Sequence, residues 1–185
     1  MSSILKVDEI QDTSGNNIIN ENAGTVTIGK AGNTTNIVGT LQNDGAALVT
    51  GKILQVVSGT LNSSFTTTST SFVATGLDVD ITPSATSSKV FVIATCYLDD
   101  NKSAHQVYST LYRDSTNLGN SNYGMMSSYA GGSRLRSNHT MSFLDTPSST
   151  SALNYEVFIK GDGDIISFNS ENGSIVSITA MEVAG

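Results

Sequence analysis

The sequence is poor in charge, proline and cysteine, and it contains no tryptophan. Only 14% of the 185 residues are charged, and 9 Lys and Arg against 16 Asp and Glu give a formal net charge of −7. This balance argues against a nucleic-acid partner, which needs a basic surface, and against binding to an anionic membrane. No apolar run is long enough to span a membrane. The N-terminus has no cationic segment followed by an apolar one, so we expect no secretory signal.

The single cysteine, Cys96, lies within the most apolar run of the chain, residues 89–100 (KVFVIATCYLDD). It has no second cysteine in this chain with which to form a disulfide. A catalytic thiol needs an exposed, electropositive setting, which this run does not provide. We therefore expect Cys96 to be a small buried core residue.

The same run predicts the central strand of the protein. Its β-branched and aromatic residues favour a strand over a helix. Alternate residues fall on two faces, and both faces are largely apolar. Such a pattern is typical of a strand that is covered on both sides.

Aromatic residues are absent from residues 1–51, where short aliphatic clusters alternate with Gly, Asn and Asp turns. Ordering about 50 residues costs on the order of 50 to 100 kcal/mol, which so few aliphatic side chains in one copy cannot offset. The segment is therefore either a flexible tether or a stem of short strands whose core is shared between chains. Abundant Val, Ile and Thr with few charges favour an intertwined trimeric stem. Its predicted core residues are Val26, Ile28, Ile37, Leu41 and Leu48.

Residues 52–185 show short alternating segments separated by turns, with no convincing helical period. Strands are predicted at 53–57, 72–81, 89–100, 104–114, 140–145, 153–160, 165–168 and 175–183. Tight hairpins are predicted at 161–164 and 171–174, and 62–71 is predicted to be an exposed loop or edge strand. Residues 114–139 are only weakly patterned. The fold class is therefore all-β, with a jelly-roll β-sandwich at 52–185 following the stem at 1–51.

Two N-terminal stretches carry a resemblance to a known family: ILKVDEIQDTSGNNII at 4–19 and GTVTIGKAGNTTNIVGTLQNDGAAL at 24–48. They resemble the N-terminal part of fibre proteins of marine tailed phages, cyanophages in particular. The closing SIVSITAMEVAG resembles the last strand of trimeric jelly-roll tips on phage fibres, which are related in shape to the C1q and tumour-necrosis-factor folds. The resemblance implies a virion protein, a homotrimer and an outward-facing C-terminal knob. Docking on the particle would then fall to Ile4, Leu5, Val7 and Ile10.

Three functions remain open on this basis. The first is a short fibre whose tip contacts a glycan or protein on the host surface. The second is a head fibre or capsid decoration with no essential ligand, and tail and head locations both suit a chain of 185 residues. The third is a cellular lectin-like trimeric module, against which the absence of a secretory signal argues.

The segment 118–139 is the candidate recognition site, because it holds two of the three arginines of the chain close to tyrosines. Tyrosine and arginine often contribute much of the binding energy at protein surfaces, and tyrosine rings suit sugars. The candidate contact residues are Tyr123, Met126, Tyr129, Arg134 and Arg136. The alternative is a structural loop that packs on a neighbouring subunit, with both arginines paired to carboxylates across the interface.

Candidate chemistry elsewhere is sparse. The two histidines, His105 and His139, have no second metal ligand at a usable spacing, so we expect ordinary surface or interface positions for both. Calcium prefers oxygen ligands, but the spacing of a calcium loop is not met by Asp162, Asp164, Asn169 and Glu171. No serine lies in the Gly-x-Ser-x-Gly pattern of a hydrolase. We expect no metal, no cofactor and no enzymatic activity.

Overall fold

The computed structural model describes residues 9–11, 13, 17–22, 25–28, 32, 42–43, 46–47, 53–100, 105–169 and 175–185. The regular elements among these residues are all strands. The described part of the chain therefore contains no helix that would be long and apolar enough to cross a membrane. The chain divides into two compact units, Met1–Thr50 and Gly51–Gly185.

The first unit contains short strands, as the alternation of aliphatic clusters and turns predicts. The strands are β1 (Glu9–Gln11), β2 (Asn17–Asn22), β3 (Thr25–Ile28), β4 (Gln42–Asn43) and β5 (Ala46–Ala47). The first three form an antiparallel sheet in the order β1-β2-β3, and the last two pair with each other. These pairings join strands of the same chain, and a core shared between copies stays a prediction.

The described part of the second unit contains eleven further strands in two antiparallel sheets. They are β6 (Ile53–Leu61), β7 (Phe65–Thr67), β8 (Val73–Ile81), β9 (Lys89–Asp100), β10 (His105–Arg113), β11 (Thr116–Asn117), β12 (Met126–Ala130), β13 (Leu135–Asp145), β14 (Leu153–Lys160), β15 (Ile166–Phe168) and β16 (Val176–Val183). Sheet 1 has the order β11-β10-β14-β8, with β12 also paired to β10. Sheet 2 has the order β6-β16-β9-β15-β7, with β13 also paired to β9.

The chain alternates between the two sheets, which is the connectivity of a jelly roll. It passes from β8 in sheet 1 to β9 in sheet 2, returns to β10, and later crosses to β13, back to β14 and finally to β16. The predicted all-β sandwich is confirmed. Neighbours in each sheet are mostly distant in sequence, so most of the pairing is long-range.

Strand β9 is central, as predicted, and it supplies one side of the core. Val90, Val92, Ala94, Cys96 and Leu98 are fully buried. Burial raises the pKa of the Cys96 thiol to about 12, which keeps it protonated and inert. The opposite face of β9 is only half-buried within this chain, so the prediction that the strand is covered on both sides holds for one face.

Both predicted hairpins after β14 are wrong. Strand β14 lies in sheet 1 and β15 in sheet 2, so residues 161–164 cross between the sheets and do not reverse the chain within one of them. Strands β15 and β16 do not pair with each other, because both pair with β9, at Phe168 with Leu98 and at Ser177 with Thr95. The proposed turn at 171–174 lies outside the described residues. An Asp-Gly turn sets a local change of direction, but it does not determine which sheet the chain enters next.

Strands account for 12 of the 26 residues in the weakly patterned segment 114–139. It contains β11, β12 and the first five residues of β13. Its Ser, Asn and Gly residues have low strand propensity, and pairing with β10 and β9 overrides that preference.

Candidate binding surface on the outer face of sheet 1

The outer face of sheet 1 carries a cluster of aromatic rings. In β10, Val107 and Leu111 point into the core, so Tyr108 and Tyr112 point outward. The same alternation in β14 turns Phe158 outward. We call the six outward residues of this cluster the aromatic face: Phe72, Tyr108, Tyr112, Tyr123, Tyr129 and Phe158.

Contacts join five rings of the aromatic face to one another or to Lys160: Phe72, Tyr108, Tyr112, Tyr123 and Phe158. Tyr112 and Phe158 are stacked, with centroids 3.9 Å apart and an interplanar angle of 21°. The Lys160 ammonium lies 4.9 Å from the centroid of the Phe72 ring and 5.2 Å from that of Tyr108. Cation–π contacts of this length stabilise a lysine over aromatic rings and hold the rings in place.

Tyr123 stands on this surface at the end of a tight turn. The Asn120 side chain accepts hydrogen bonds from the backbone N–H groups of Asn122 at 2.8 Å and of Tyr123 at 3.0 Å. The backbones of Asn120 and Gly124 also bond each other in both directions, at 3.1 and 2.8 Å. Gly124 has φ +66°, and a Cβ there would lie 2.4 Å from the Ser109 carbonyl oxygen, so this position requires glycine. The Tyr123 side chain is 64% exposed, although its backbone is firmly held.

An acidic cluster flanks the aromatic face. Asp162 bonds the His105 Nδ1 at 2.8 Å and accepts a hydrogen bond from the Gln106 backbone N–H at 3.1 Å. The His105 Nε2 lies 3.4 Å from Asp164. The hydrogen bond to Asp162 raises the pKa of His105. No group of three or more metal-binding side chains is assembled anywhere in the described ranges.

The prediction that His139 is an ordinary surface or interface residue is wrong, because this side chain lies buried between the sheets. Its side chain is 1% exposed, and its ring bonds Ser109 Oγ at 2.7 Å and Ser128 Oγ at 2.8 Å. Both serines belong to sheet 1 and His139 to sheet 2, so the imidazole joins the two sheets. Burial lowers the pKa of His139 to about 4, because the interior disfavours the charged ring.

We expect the stability of the protein to fall as the pH drops from about 6.5 toward 4, in part because of His139. The unfolded chain binds a proton at this residue in that range and the folded chain does not, so acid favours unfolding. Urea unfolding followed between pH 7 and 5 should show a flatter pH dependence in His139→Gln than in the unchanged protein. His105→Gln is the matched control, because the pKa of His105 is raised and its removal should change the slope in the opposite sense. Equal slopes for the unchanged protein and His139→Gln would contradict this role.

The five residues of the candidate recognition site do not form one surface. Tyr123 and Tyr129 belong to the aromatic face, at 64% and 56% exposure. Met126 points to the other side of β12 and lines a cavity of about 420 Å³ with Leu118, Met125, Met141 and Phe143.

The two arginines lie close to a carboxylate of sheet 2. Arg134 forms a two-point ion pair with Asp99, with its Nε at 2.7 Å, and the Arg136 Nε lies 3.8 Å from the same carboxylate. Asp99 is 2% exposed on β9 of the same chain. Both arginines thus interact with a buried carboxylate of their own chain. A carboxylate of a neighbouring subunit is not required as their partner.

Sequence reasoning missed the rings that support Tyr123. Tyr108, Tyr112 and Phe158 are the outward residues of alternating strands, so the signal was present in the period of two. Nothing in the sequence places β14 beside β10, and that pairing is what brings these rings together.

The outer face of sheet 2 is different, because its central part carries no charged side chain; Lys89 lies beyond one end of this part, and Asp99 and Arg136 lie beyond the other. Three rows of paired residues cross β6, β16, β9 and β13. The first row is apolar, and the other two consist of Ser and Thr apart from Ile93. We call these twelve residues the neutral face: Val56, Met181, Phe91 and Leu144; Ser58, Thr179, Ile93 and Ser142; Thr60, Ser177, Thr95 and Thr140.

Other predicted positions lie in the first unit. Ile10 is 39% exposed and Ile28 is 52% exposed. Val26 lies in β3. The remaining predicted docking and stem-core residues lie outside the described residues: Ile4, Leu5, Val7, Ile37, Leu41 and Leu48.

Comparison with known proteins gives distant structural similarity and no matching family. No model of a known protein family matches the sequence, and no curated protein matches it. Among solved structures, the D431N mutant VP2 protein of infectious bursal disease virus, from derived T=1 particles, is similar over 70% of this chain. The identity is 12% and the TM-score 0.32, and the similarity spans 36% of the VP2 chain. A likeness this distant carries no argument about function.

Proposed function

We propose that this chain is a structural protein of a phage virion, a short homotrimeric fibre whose C-terminal sandwich contacts the host surface. The resemblance of its N-terminal segment to fibre proteins of marine tailed phages motivates the virion assignment. The observation that supports assembly into a trimer is the neutral face of sheet 2.

The apolar row of the neutral face supports self-association. Val56, Met181, Phe91 and Leu144 lie side by side across four strands, and Val56 and Leu144 are 55% and 49% exposed. Depletion of charge with enrichment in aromatic residues and methionine is the signature of the core of a protein interface. In a single chain this apolar row faces water. Burying the row against a second copy of the chain is therefore favourable.

Charge explains why the partner is a second copy of the same chain. The protein carries a formal charge of −7, so most surfaces of two copies repel each other. The neutral face has no Asp, Glu, Lys or Arg among its twelve residues and avoids that repulsion. Its Ser and Thr hydroxyls both donate and accept hydrogen bonds, so identical rows can pair around a symmetry axis.

In the proposed trimer, the stem at 1–51 also contributes contacts between the three copies. Three copies would bring together Val26, Ile28, Ile37, Leu41 and Leu48 along one axis, with Ile4, Leu5, Val7 and Ile10 at the particle end. The half-exposed side chain of Ile28 within one chain supports this arrangement.

Virion location is tested by labelling. Antibody raised against the sandwich and visualised by electron microscopy on particles of the encoding phage should mark either the tail or the head surface. A deletion phage should lose host adsorption if the protein is an adsorption fibre. Normal adsorption with a fragile particle would favour the decoration role, and particles that bind no antibody and lack the protein by mass spectrometry would overturn the proposal.

A further inference from the structure

We propose that the aromatic face of sheet 1 is a binding site for neutral hexose residues of a polysaccharide. The inference rests on the proposed function for one point, the number of copies displayed. The outer faces of a two-sheet sandwich point in opposite directions. Assembly through the neutral face of sheet 2 therefore leaves the aromatic face of sheet 1 on the outside of the trimer, and three sites together give avidity.

The exposed tyrosines are placed for binding before any ligand arrives. Four hydrogen bonds within the turn at 120–124 fix the backbone of Tyr123, and Tyr129 is held in the ladder between β12 and β10. Their rings are nevertheless 64% and 56% exposed. A rigid tyrosine offers a large contact area and loses little conformational entropy on binding.

The ring of Tyr108 supports Tyr123 from below. Tyr108 is only 9% exposed, and its centroid lies 6.1 Å from that of Tyr123. Tyr108 is in turn held by Lys160 and by a hydrogen bond to the Gln106 side chain. The surface is therefore a fixed platform and not a set of independent side chains.

The chemistry of the platform favours sugar rings. The face of an aromatic ring is electron-rich, and the axial C–H groups of a pyranose carry partial positive charge, so the two stack well. Polar groups next to the rings can bond the sugar hydroxyls, among them Gln106, Asn122 and Asp162.

Charge selects neutral sugars over acidic ones. Burial raises the pKa of the Tyr108 phenol, and the nearby carboxylate of Asp162 adds to this effect. Two further carboxylates lie in the same region: Glu156 in β14 and Asp164 in the connection that follows β14. Lys160, a cation at the centre of the platform, already lies over two rings. An anionic polysaccharide would meet repulsion here that a neutral one does not.

The test measures binding of the 185-residue protein to immobilised neutral polymers (dextran, mannan and galactan) and to an acidic polymer, alginate. Saturation-transfer NMR with glucose, mannose and galactose gives a second readout that does not depend on avidity. We expect binding to at least one neutral polymer, none to alginate, and transfer to the matching monosaccharide. Tyr123→Ala and Tyr129→Ala should each weaken binding about tenfold, as for aromatic residues at the centre of a binding site.

Met126→Ala is the matched control, because it removes a large, partly exposed side chain from the strand that bears Tyr129 but on its opposite side. It should leave sugar binding unchanged. Binding to none of the three neutral polymers, stronger binding to alginate, or binding by both tyrosine variants that equals that of the unchanged protein would each overturn the inference. A monomeric protein that still shows saturation transfer would contradict the proposed trimer alone, and a trimer that binds no sugar would contradict this site alone.

Discussion

Replacing Ile93 by glutamate is expected to dissociate the protein into monomers of 19.3 kDa at concentrations where the unchanged chain has three times that mass. Ile93 lies at the centre of the neutral face, between Thr179 of β16 and Ser142 of β13. An uncompensated charge buried in an interface costs about 3–5 kcal/mol, which corresponds to a loss of affinity of about a hundredfold or more for each contact. Light scattering over a dilution series measures this effect directly.

The fold of the monomer should survive this change. Within one chain Ile93 is only half-buried on an outward face, so a glutamate there remains in contact with water. Circular dichroism and the urea midpoint check that point. Tyr123→Glu is the matched control, since it adds the same charge on the outer face of the other sheet and should leave the trimer intact. A trimer that persists equally in Ile93→Glu, or an unchanged protein that scatters as a monomer, would rule out assembly through the neutral face.

Replacing Glu182 by alanine is expected to destabilise the sandwich by about 3–5 kcal/mol. Glu182 is 1% exposed on β16, and its carboxylate accepts hydrogen bonds from four donors. These are the Ser84 N–H at 2.7 Å, the Ser84 hydroxyl at 2.6 Å, the Ser88 hydroxyl at 2.7 Å and the Gln55 amide at 2.7 Å. The connection between β8 and β9 is thereby fixed to β16, and alanine would remove the acceptor of all four hydrogen bonds.

The lowered pKa of Glu182 predicts a second pH range in which acid destabilises the protein, below the range set by His139. Burial works against ionisation of Glu182, but the hydrogen bonds from Ser84, Ser88 and Gln55 outweigh it and lower the pKa to about 2. A carboxyl whose pKa is lowered by folding stabilises the protein fully above its unfolded value of 4.5, and this contribution is lost as the pH falls toward 2. Glu182→Gln should lack this part of the acid dependence.

Urea unfolding at pH 7 and pH 3, followed by circular dichroism, measures both effects. Glu156→Gln serves as the control, because Glu156 is half-buried and its recorded hydrogen bond comes from the Gly76 N–H at 2.8 Å. It should cost about 1 kcal/mol or less. A loss at pH 7 in Glu182→Ala no larger than in the control would show that the hydrogen-bond cluster does not stabilise the fold.

Much of the fold could be predicted because strand alternation is a local property. The core face of β9 and the strands at 104–114 and 153–160 are visible as residues two apart with matching polarity. The buried charged residues were harder to predict from the sequence. Asp99 and Asp100 end an apolar strand and Glu182 interrupts another, and a carboxylate in such a position is a signal of a buried hydrogen-bond or ion-pair partner.

The candidate site could be predicted only in part, since its residues come from separate strands. Tyr123 and Tyr129 stand out as tyrosines in a polar segment, and both reach the exposed surface. Arg134 and Arg136 lie within a few residues of them in sequence but contact Asp99, because the chain leaves sheet 1 after β12 and enters sheet 2 at β13.

The sequence by itself determined the all-β class, the central strand and the division between an aromatic-free first part and an aromatic-rich second part. Composition and a period of two are sufficient for these conclusions, because both depend on neighbouring residues. Tertiary structure alone decided that the aromatic rings meet on sheet 1, that the uncharged rows align on sheet 2, and that His139 joins the two sheets. Each of these depends on which distant strands pair and in which register, and that choice is made by the free energy of the whole folded sandwich rather than by any one segment.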